Sequence, residues 1–474
     1  MRRSEGLPPG HASHAGSTGA PPAPSLAARR FARHALTTLF EDLPAPAIRA
    51  AKTFLLDTLG VGVGGSSEPS AGPLLQAVAA WGSGSEAAIW GRHERLPAPA
   101  AALMNGFQVH CQEYDCVHEA AVLHPMATLL PAALAWAERE GGVTGRAFLA
   151  ALTVGVDVAI GLGLAARAGL RFFRPATAGG FGAAAAVGRL AGLDEAGLAG
   201  AFGLQYAQAS GTMQPHVEGS IALPLQIGFN SRAALAACDL THAGITGPGD
   251  VFEGPFGYLP LFEDTWDLAP IWPALGRTWR VAELSHKPYP AGRATHAGIE
   301  GVAVLRAAHG FTAGEVAHIT VLGPPLIQRL CGRPAIPEPS PAYARLCMGF
   351  AIAKLLQHGA LDPVHYRGEA LRNPETLALA RRVTTVADGN PDPNALAPQS
   401  VRVELNDGTV LEWRCEEMLA HPARPLSPEQ HFAKFRRCWT LAAEALGPPE
   451  PVIEAVEHIE EMDDMRTLAA LLTP

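Results

Sequence analysis

The chain has 474 residues, of which 48% are hydrophobic and 17% charged, and its formal net charge is -9. That balance fits a compact protein with a large core. With no basic stripe, it excludes nucleic-acid or anionic-membrane binding as the main role. At about 150 residues per domain, the length predicts two or three domains.

The seven cysteines are odd in number and form no C-x-x-C pair, a pattern of reduced thiols that points to a cytoplasmic protein. The two arginines at the N-terminus precede no apolar stretch, so no secretory signal is expected. Residues 1–24 are rich in Gly, Pro, Ser, Ala and His and read as a disordered tail.

From residue 25 to 275 the pattern is helical and rich in Ala and Gly, which lets helices pack closely. Thr144 is the expected N-cap of a helix presenting Phe148, Leu152 and Val156 on one face. The apolar run at 148–165 is interrupted by Asp157. A membrane span would need about 20 apolar residues without a buried acid, so this run reads as a core helix. Asp194 is expected to cap a further helix that stops at Gly211, and residues 230–243 predict another ending before Gly244.

The character changes over residues 276–424, which read as an α+β domain. Strands are expected at 316–323 and 380–388. A hairpin is expected at 400–413, turning on Asn406, Asp407 and Gly408, and a helix at 342–357. Residues 425–474 return to helix, at 428–445 and 451–472.

The segment 101–132, AALMNGFQVHCQEYDCVHEAAVLHPMATLLPA, is chemically the richest part of the chain. It sets His110, His118 and His124 beside Glu113, Asp115 and Glu119, with apolar helical sequence on either side. A core connection has no structural need for so many ionisable groups; a site that moves protons or holds a charged small molecule does. The ligand types of His110, Cys111, Cys116, His118 and His124 would also suit zinc, but their spacing matches no familiar zinc pattern.

Six stretches in this order resemble the MmgE/PrpD family, which includes 2-methylcitrate dehydratase, cis-aconitate decarboxylase and iminodisuccinate epimerase. They are AKTFLLDTLGVGVGG at 51–65, MNGFQVHCQEYDCVHEAAVLHP at 104–125, GGFGAAAAVGRLAGLD at 179–194, GITGPGDVFEGPFGY at 244–258, KPYPAGRATHAGIE at 287–300 and PLSPEQHFAKFRRC at 425–438. The resemblance implies a mainly α protein in which a large all-helical domain, formed by the N- and C-terminal parts, carries an inserted α+β lid. It also implies an active site in the cleft between them, a homodimer, no metal or organic cofactor, and a small di- or tricarboxylate as substrate.

Carried over residue by residue, the resemblance places His124 at the family's His-Pro motif as an acid/base group. Glu113 and Asp115 fall in the acidic cluster, whose usual last acid is Cys116 here, and His118 falls in the same stretch. Lys287 matches the lysine at the start of the lid and is expected to hold a carboxylate, with Arg293 and His296 close behind. Two departures matter. Arg174 stands where family dehydratases and decarboxylases carry a histidine. Leu223, Pro224, Leu225 and Gln226 stand where they carry a Lys-Arg-x-His stretch. Gln214, His216 and Glu218, just upstream, are candidates to supply replacement groups.

The expected activity is therefore that of a cofactor-independent lyase of the dehydratase type, removing a proton next to a carboxylate. The alternatives are an epimerase or isomerase of a polycarboxylate, and a non-catalytic carboxylate-binding protein.

Overall fold

The computed structural model describes residues 26–474, and the tail expected over residues 1–24 lies outside the described residues. The helical domain is built from α1 (Leu26–Thr37), α2 (Ala45–Gly65), α3 (Ala98–His110), α4 (Pro125–Glu140), α5 (Gly145–Ala165), α6 (Arg174–Leu190), α7 (Glu195–Tyr206) and α8 (Ala222–His242). Helix α5 is the one element among the described residues long and apolar enough to cross a membrane, yet it is buried among its neighbours. Its Asp157 is satisfied inside the core: His34 of α1 lies 2.9 Å away, and the Arg280 backbone N–H donates to it at 2.8 Å. Thr144 caps α5 by accepting from the Ala147 N–H.

Helix α3 runs through the centre, clasped at two points where a side chain would not fit. A Cβ at Gly228 of α8 would fall 2.3 Å from the Leu103 carbonyl oxygen. One at Gly65 of α2 would fall 1.9 Å from that of Gln108. These close crossings fix where α3 ends, and its last residue is His110.

The inserted domain carries a four-stranded sheet flanked by helices α9 (His296–His309) and α10 (Met348–His358). Its strands are β1 (Val316–Gly323), β2 (Val383–Ala387), β3 (Gln399–Leu405) and β4 (Val410–Cys415), in spatial order β2-β1-β3-β4. β1 pairs parallel with β2 and antiparallel with β3, and β3 and β4 form the hairpin. Its turn closes with the Leu405 N–H on the Thr409 carbonyl, and Gly408 takes the positive φ of 89° that the turn requires. Helix α11 (Pro428–Trp439) then returns the chain to the helical domain.

Two apolar cores follow from this arrangement. The first runs from Ala27 to Leu284 and resumes at Phe435; the second runs mainly from Ala291 to Met418. The crossover thus lies beyond residue 276, because Trp279, Val281 and Leu284 still pack in the helical core. Leu170 crosses into the lid core and Leu346 into the helical core, so the two are stitched together.

Other element ends also differ from the sequence reading. The helix capped by Asp194 stops at Tyr206, before the strand-like bridge that Phe172 makes with Thr212. Helix α8 begins at Ala222, earlier than residue 230. The stretch 342–357 divides into Pro341–Arg345 and α10. The stretch 451–472 breaks before Arg466, where Asp464 accepts the Arg466 N–H in a local turn.

Replacing Gly228 by alanine should force the α3–α8 crossing apart and cost about 1–3 kcal/mol of stability. A fall in melting temperature is the expected result. Wild-type stability would show that the crossing can relax.

Candidate active site

The site is assembled by the loop between α3 and α4. Helix α3 delivers His110, which is 1% exposed, and His124 directly precedes Pro125, the first residue of α4. Between them the chain makes two tight reversals, with Glu113 at φ 52° and Val122 at φ 49°. Both are non-glycine residues in the left-handed region, and β-branched Val122 is especially disfavoured there; such strain persists only where the surroundings enforce it. Backbone bridges enforce it here: His118 pairs with Leu123, and Val117 pairs with Ser285. The second bridge ties the loop to the crossover segment two residues before Lys287.

The result is a buried ionic cluster. The Lys287 ammonium, with no exposed surface, donates to Glu113 Oε2 at 2.8 Å and lies 3.8 Å from Asp115 Oδ1. Asp115, also wholly buried, accepts from His110 Nδ1 at 3.0 Å. His124 Nδ1 lies 3.1 Å from Asp115 Oδ2, though off the hydrogen-bonding direction. His110 Nε2 is 3.5 Å from Glu113 Oε1, and the two histidine rings meet edge to face at 5.0 Å.

Electrostatics separate the members of this cluster. Burial works against charge on Glu113, but Lys287, His110 and His124 outweigh it and hold its carboxyl down at about 2. Asp115 is held well below the carboxylate range against its burial by His110, His124 and Lys287. Burial would lower the pKa of His110, but Asp115 and Glu113 overcome it and raise it above 6.5. For His124 burial prevails over Asp115, with Lys287 adding to it, and the pKa is lowered. Two histidines sharing one carboxylate are thereby biased in opposite directions.

His110, Glu113 and His124 line a cavity whose far side is formed by His216, Arg293 and apolar side chains of both domains. The structure brings together Glu113, Asp115, His124, Lys287, His216 and Arg293 of the residues expected from sequence. Arg293 is heavily engaged. Its Nη2 donates to Glu119 Oε1 at 2.6 Å and its Nη1 to the Leu419 carbonyl at 2.9 Å, with His296 Nδ1 at 3.3 Å.

Asp115, Lys287 and His296 lie buried behind the cavity wall, and three further expected residues are engaged elsewhere. His118 turns to Glu283, 2.9 Å away, and accepts the Ala121 N–H. Arg174 is 1% exposed and is spent on Glu263 at 2.9 Å, Asn394 at 3.0 Å and the Ala168 carbonyl at 2.8 Å. Its charge braces the two domains and is not offered to a substrate. Gln214 is exposed and bonds Glu218 on its own short helix.

The zinc set suggested by ligand type is dispersed. Cys111 faces the Gly65 and Gln108 carbonyls, and His118 points to Glu283. A different trio does converge, His110, Asp115 and His124. The neighbouring Lys287 ammonium opposes a cation there. Sequence reasoning gave His110 only this metal role. Its place as the last residue of a helical run, next to the acidic cluster, was the signal for an acid/base role. Glu119, the partner of Arg293, stood in the ionisable segment with no role of its own, and Arg333, the partner of His216, gave no signal in sequence.

Removing the ammonium alone, with Lys287→Met, leaves Glu113 and Asp115 without their shared counter-charge and should cost about 3–5 kcal/mol. Adding Glu113→Gln should recover part of that loss in denaturant unfolding. Strictly additive losses would show that the two side chains are not coupled.

The MmgE/PrpD N-terminal domain family matches residues 29–271, and the MmgE/PrpD C-terminal domain family matches residues 289–448. The chain is 27% identical to the cis-aconitate decarboxylase-like protein oryM of Aspergillus oryzae, over 91% of this chain and 94% of that protein. It is 26% identical to the cis-aconitate decarboxylases of Mus musculus and Homo sapiens. Those alignments cover 90% of this chain and 89% and 90% of the two relatives. With both domain families matched in order across a helical body and an inserted α+β lid, the chain belongs to the MmgE/PrpD family.

Proposed function

We propose that this protein is a cofactor-independent lyase that removes a proton next to the carboxylate of a small organic acid and expels a leaving group from the adjacent carbon. One observation carries this reading: His110 and His124 share Asp115 at the cavity wall, with pKa values pushed to opposite sides of 6.5. The first is suited to hold a proton and the second to take one. Asp115 faces Nδ1 of both rings, which leaves Nε2 of His124 toward the cavity as the base. His110 would donate to the leaving hydroxyl. Lys287 serves the site from behind, as the counter-charge that keeps Glu113 and Asp115 ionised in a dry setting.

The relatives named as cis-aconitate decarboxylases support membership among lyases. The site's geometry also favours elimination over epimerisation. An epimerase must serve both faces of one carbon, whereas these two rings lie 5.0 Å apart on a single wall. The lysine and histidine absent from the 219–226 stretch are carried by family dehydratases and decarboxylases alike, so the leaving group is assigned from the two histidines and not from that stretch.

His124→Ala should slow turnover by about 10²- to 10⁴-fold while leaving the melting temperature near wild type. Turnover close to wild type would remove His124 from the role of base.

The pH–rate profile should be bell-shaped. The rate should rise as His124 loses its proton, below 6.5, and fall as His110 loses its own, above 6.5. His110→Gln should erase the alkaline limb. A profile that keeps both limbs in that variant would place the acid elsewhere.

A further inference from the structure

The charge around this cavity is already balanced by the protein. Lys287 is spent on Glu113 and Asp115, and Arg293 on Glu119. Three carboxylates therefore face two permanent cations, and a protonated His110 only brings the local sum to zero. A tricarboxylate would bring three charges into this buried setting with no free cation along the catalytic wall to receive them, which is costly without pairing. The rest of the lining is apolar: Leu170, Phe173, Met213, Leu330, Leu346 and Leu396 close around the space in front of the histidines.

The lining differs at His216, behind which lies Arg333, a cation off the cavity wall with no carboxylate partner among the described residues. Its Nη2 donates to the His216 carbonyl at 2.8 Å and to His216 Nδ1 at 3.2 Å, while its Nη1 is buried without a partner. Because Arg333 donates to Nδ1, the neutral His216 ring must carry its proton on Nε2. Burial and the Arg333 charge lower the His216 pKa to about 4, so the ring is neutral near pH 7. The ring is 6% exposed and lines the cavity, and its Nε2 has no protein partner among the described residues. A fixed N–H donor backed by an unneutralised guanidinium is a site for one anionic group.

We propose that the substrate is a monocarboxylate with an apolar body: its single carboxylate accepts from His216 Nε2, with the Arg333 charge behind that ring, and its hydrocarbon part lies against the leucine wall. This rests on the proton-transfer reading of the same cavity. The class is that of 3-hydroxy monocarboxylic acids. His124 takes the C2 proton, the C3–oxygen bond breaks as the hydroxyl leaves with a proton from His110, and a 2,3-alkenoate and water result. The electron pair of the C2–H bond becomes the new π bond, and no oxidant or reductant is needed. The reverse reaction hydrates the alkene.

The test uses the full chain and two probes, 3-methylcrotonate and cis-aconitate, with binding followed by calorimetry and solvent deuterium uptake by NMR in deuterium oxide. The proposal predicts that 3-methylcrotonate binds at least about tenfold more tightly than cis-aconitate. Arg333→Leu and the milder Arg333→Gln should each weaken that binding by about tenfold or more, with circular dichroism unchanged. Tighter binding of cis-aconitate, or binding of 3-methylcrotonate indifferent to both Arg333 variants, overturns it. The deuterium readout separates the two readings. Arg333-dependent binding of 3-methylcrotonate without exchange or hydration supports this assignment and counts against catalysis. Exchange or turnover confined to cis-aconitate supports catalysis and overturns this assignment.

Discussion

The buried ion pair between Lys287 and Glu113 is the constraint on which the rest of the site depends. It joins the first residues of the lid to the loop after α3 at 2.8 Å, with Asp115 drawn in at 3.8 Å. An ammonium with no exposed surface is tolerable only beside carboxylates, and two buried carboxylates are tolerable only beside a cation. Each partner therefore holds the other in place. Because the pair spans the crossover between the two cores, it also fixes the wall that the lid presents to His110 and His124. The strained Glu113 backbone is part of the same arrangement: the φ of 52° directs its carboxylate at Lys287.

From that constraint the division of labour between the two histidines follows. Both face Asp115, so both are oriented by one ionised group. His110 lies closer to both acids and has its proton stabilised, while His124, beside the Lys287 charge, loses its proton more easily. A difference in proton affinity is thus built from position alone, with identical side chains. The same logic extends to His216, whose proton is placed on Nε2 by Arg333. Of these three histidines around one cavity, His110 has its proton stabilised by two carboxylates, while His124 and His216 have theirs disfavoured, first by burial and then by a neighbouring cation.

Much of this was legible in the sequence, for physical reasons that differ by residue. His124, Glu113, Asp115 and Lys287 sit in compact motifs whose ionisable content has no use in a core, so local pattern sufficed. The hairpin at Asn406–Gly408 was legible because its turn needs a positive φ that glycine supplies. Arg174, His118 and Gln214 were read as site groups on type and neighbourhood, but their partners Glu263, Glu283 and Glu218 decide otherwise. Two of those partners lie 89 and 165 residues away, beyond what any local window contains. Arg333 was silent for the converse reason: an isolated arginine in a proline-rich loop carries no signal until His216, 117 residues distant, is placed against it. Element ends erred where tertiary bridges, such as that of Phe172 with Thr212, override local helix preference.

The central claim, that two neighbouring histidines sharing one carboxylate are set to opposite sides of the ordinary value, His110 by the acids and His124 by burial, can be read directly. A nitrogen-15 NMR titration of the histidine rings in the intact protein, with Asp115→Asn as the comparison, reports each pKa and each tautomer. The account predicts that His110 titrates above 6.5 and His124 below it, and that the pKa of His110 falls when Asp115 loses its charge. Two histidines titrating together near 6.5, unmoved by that substitution, would contradict it.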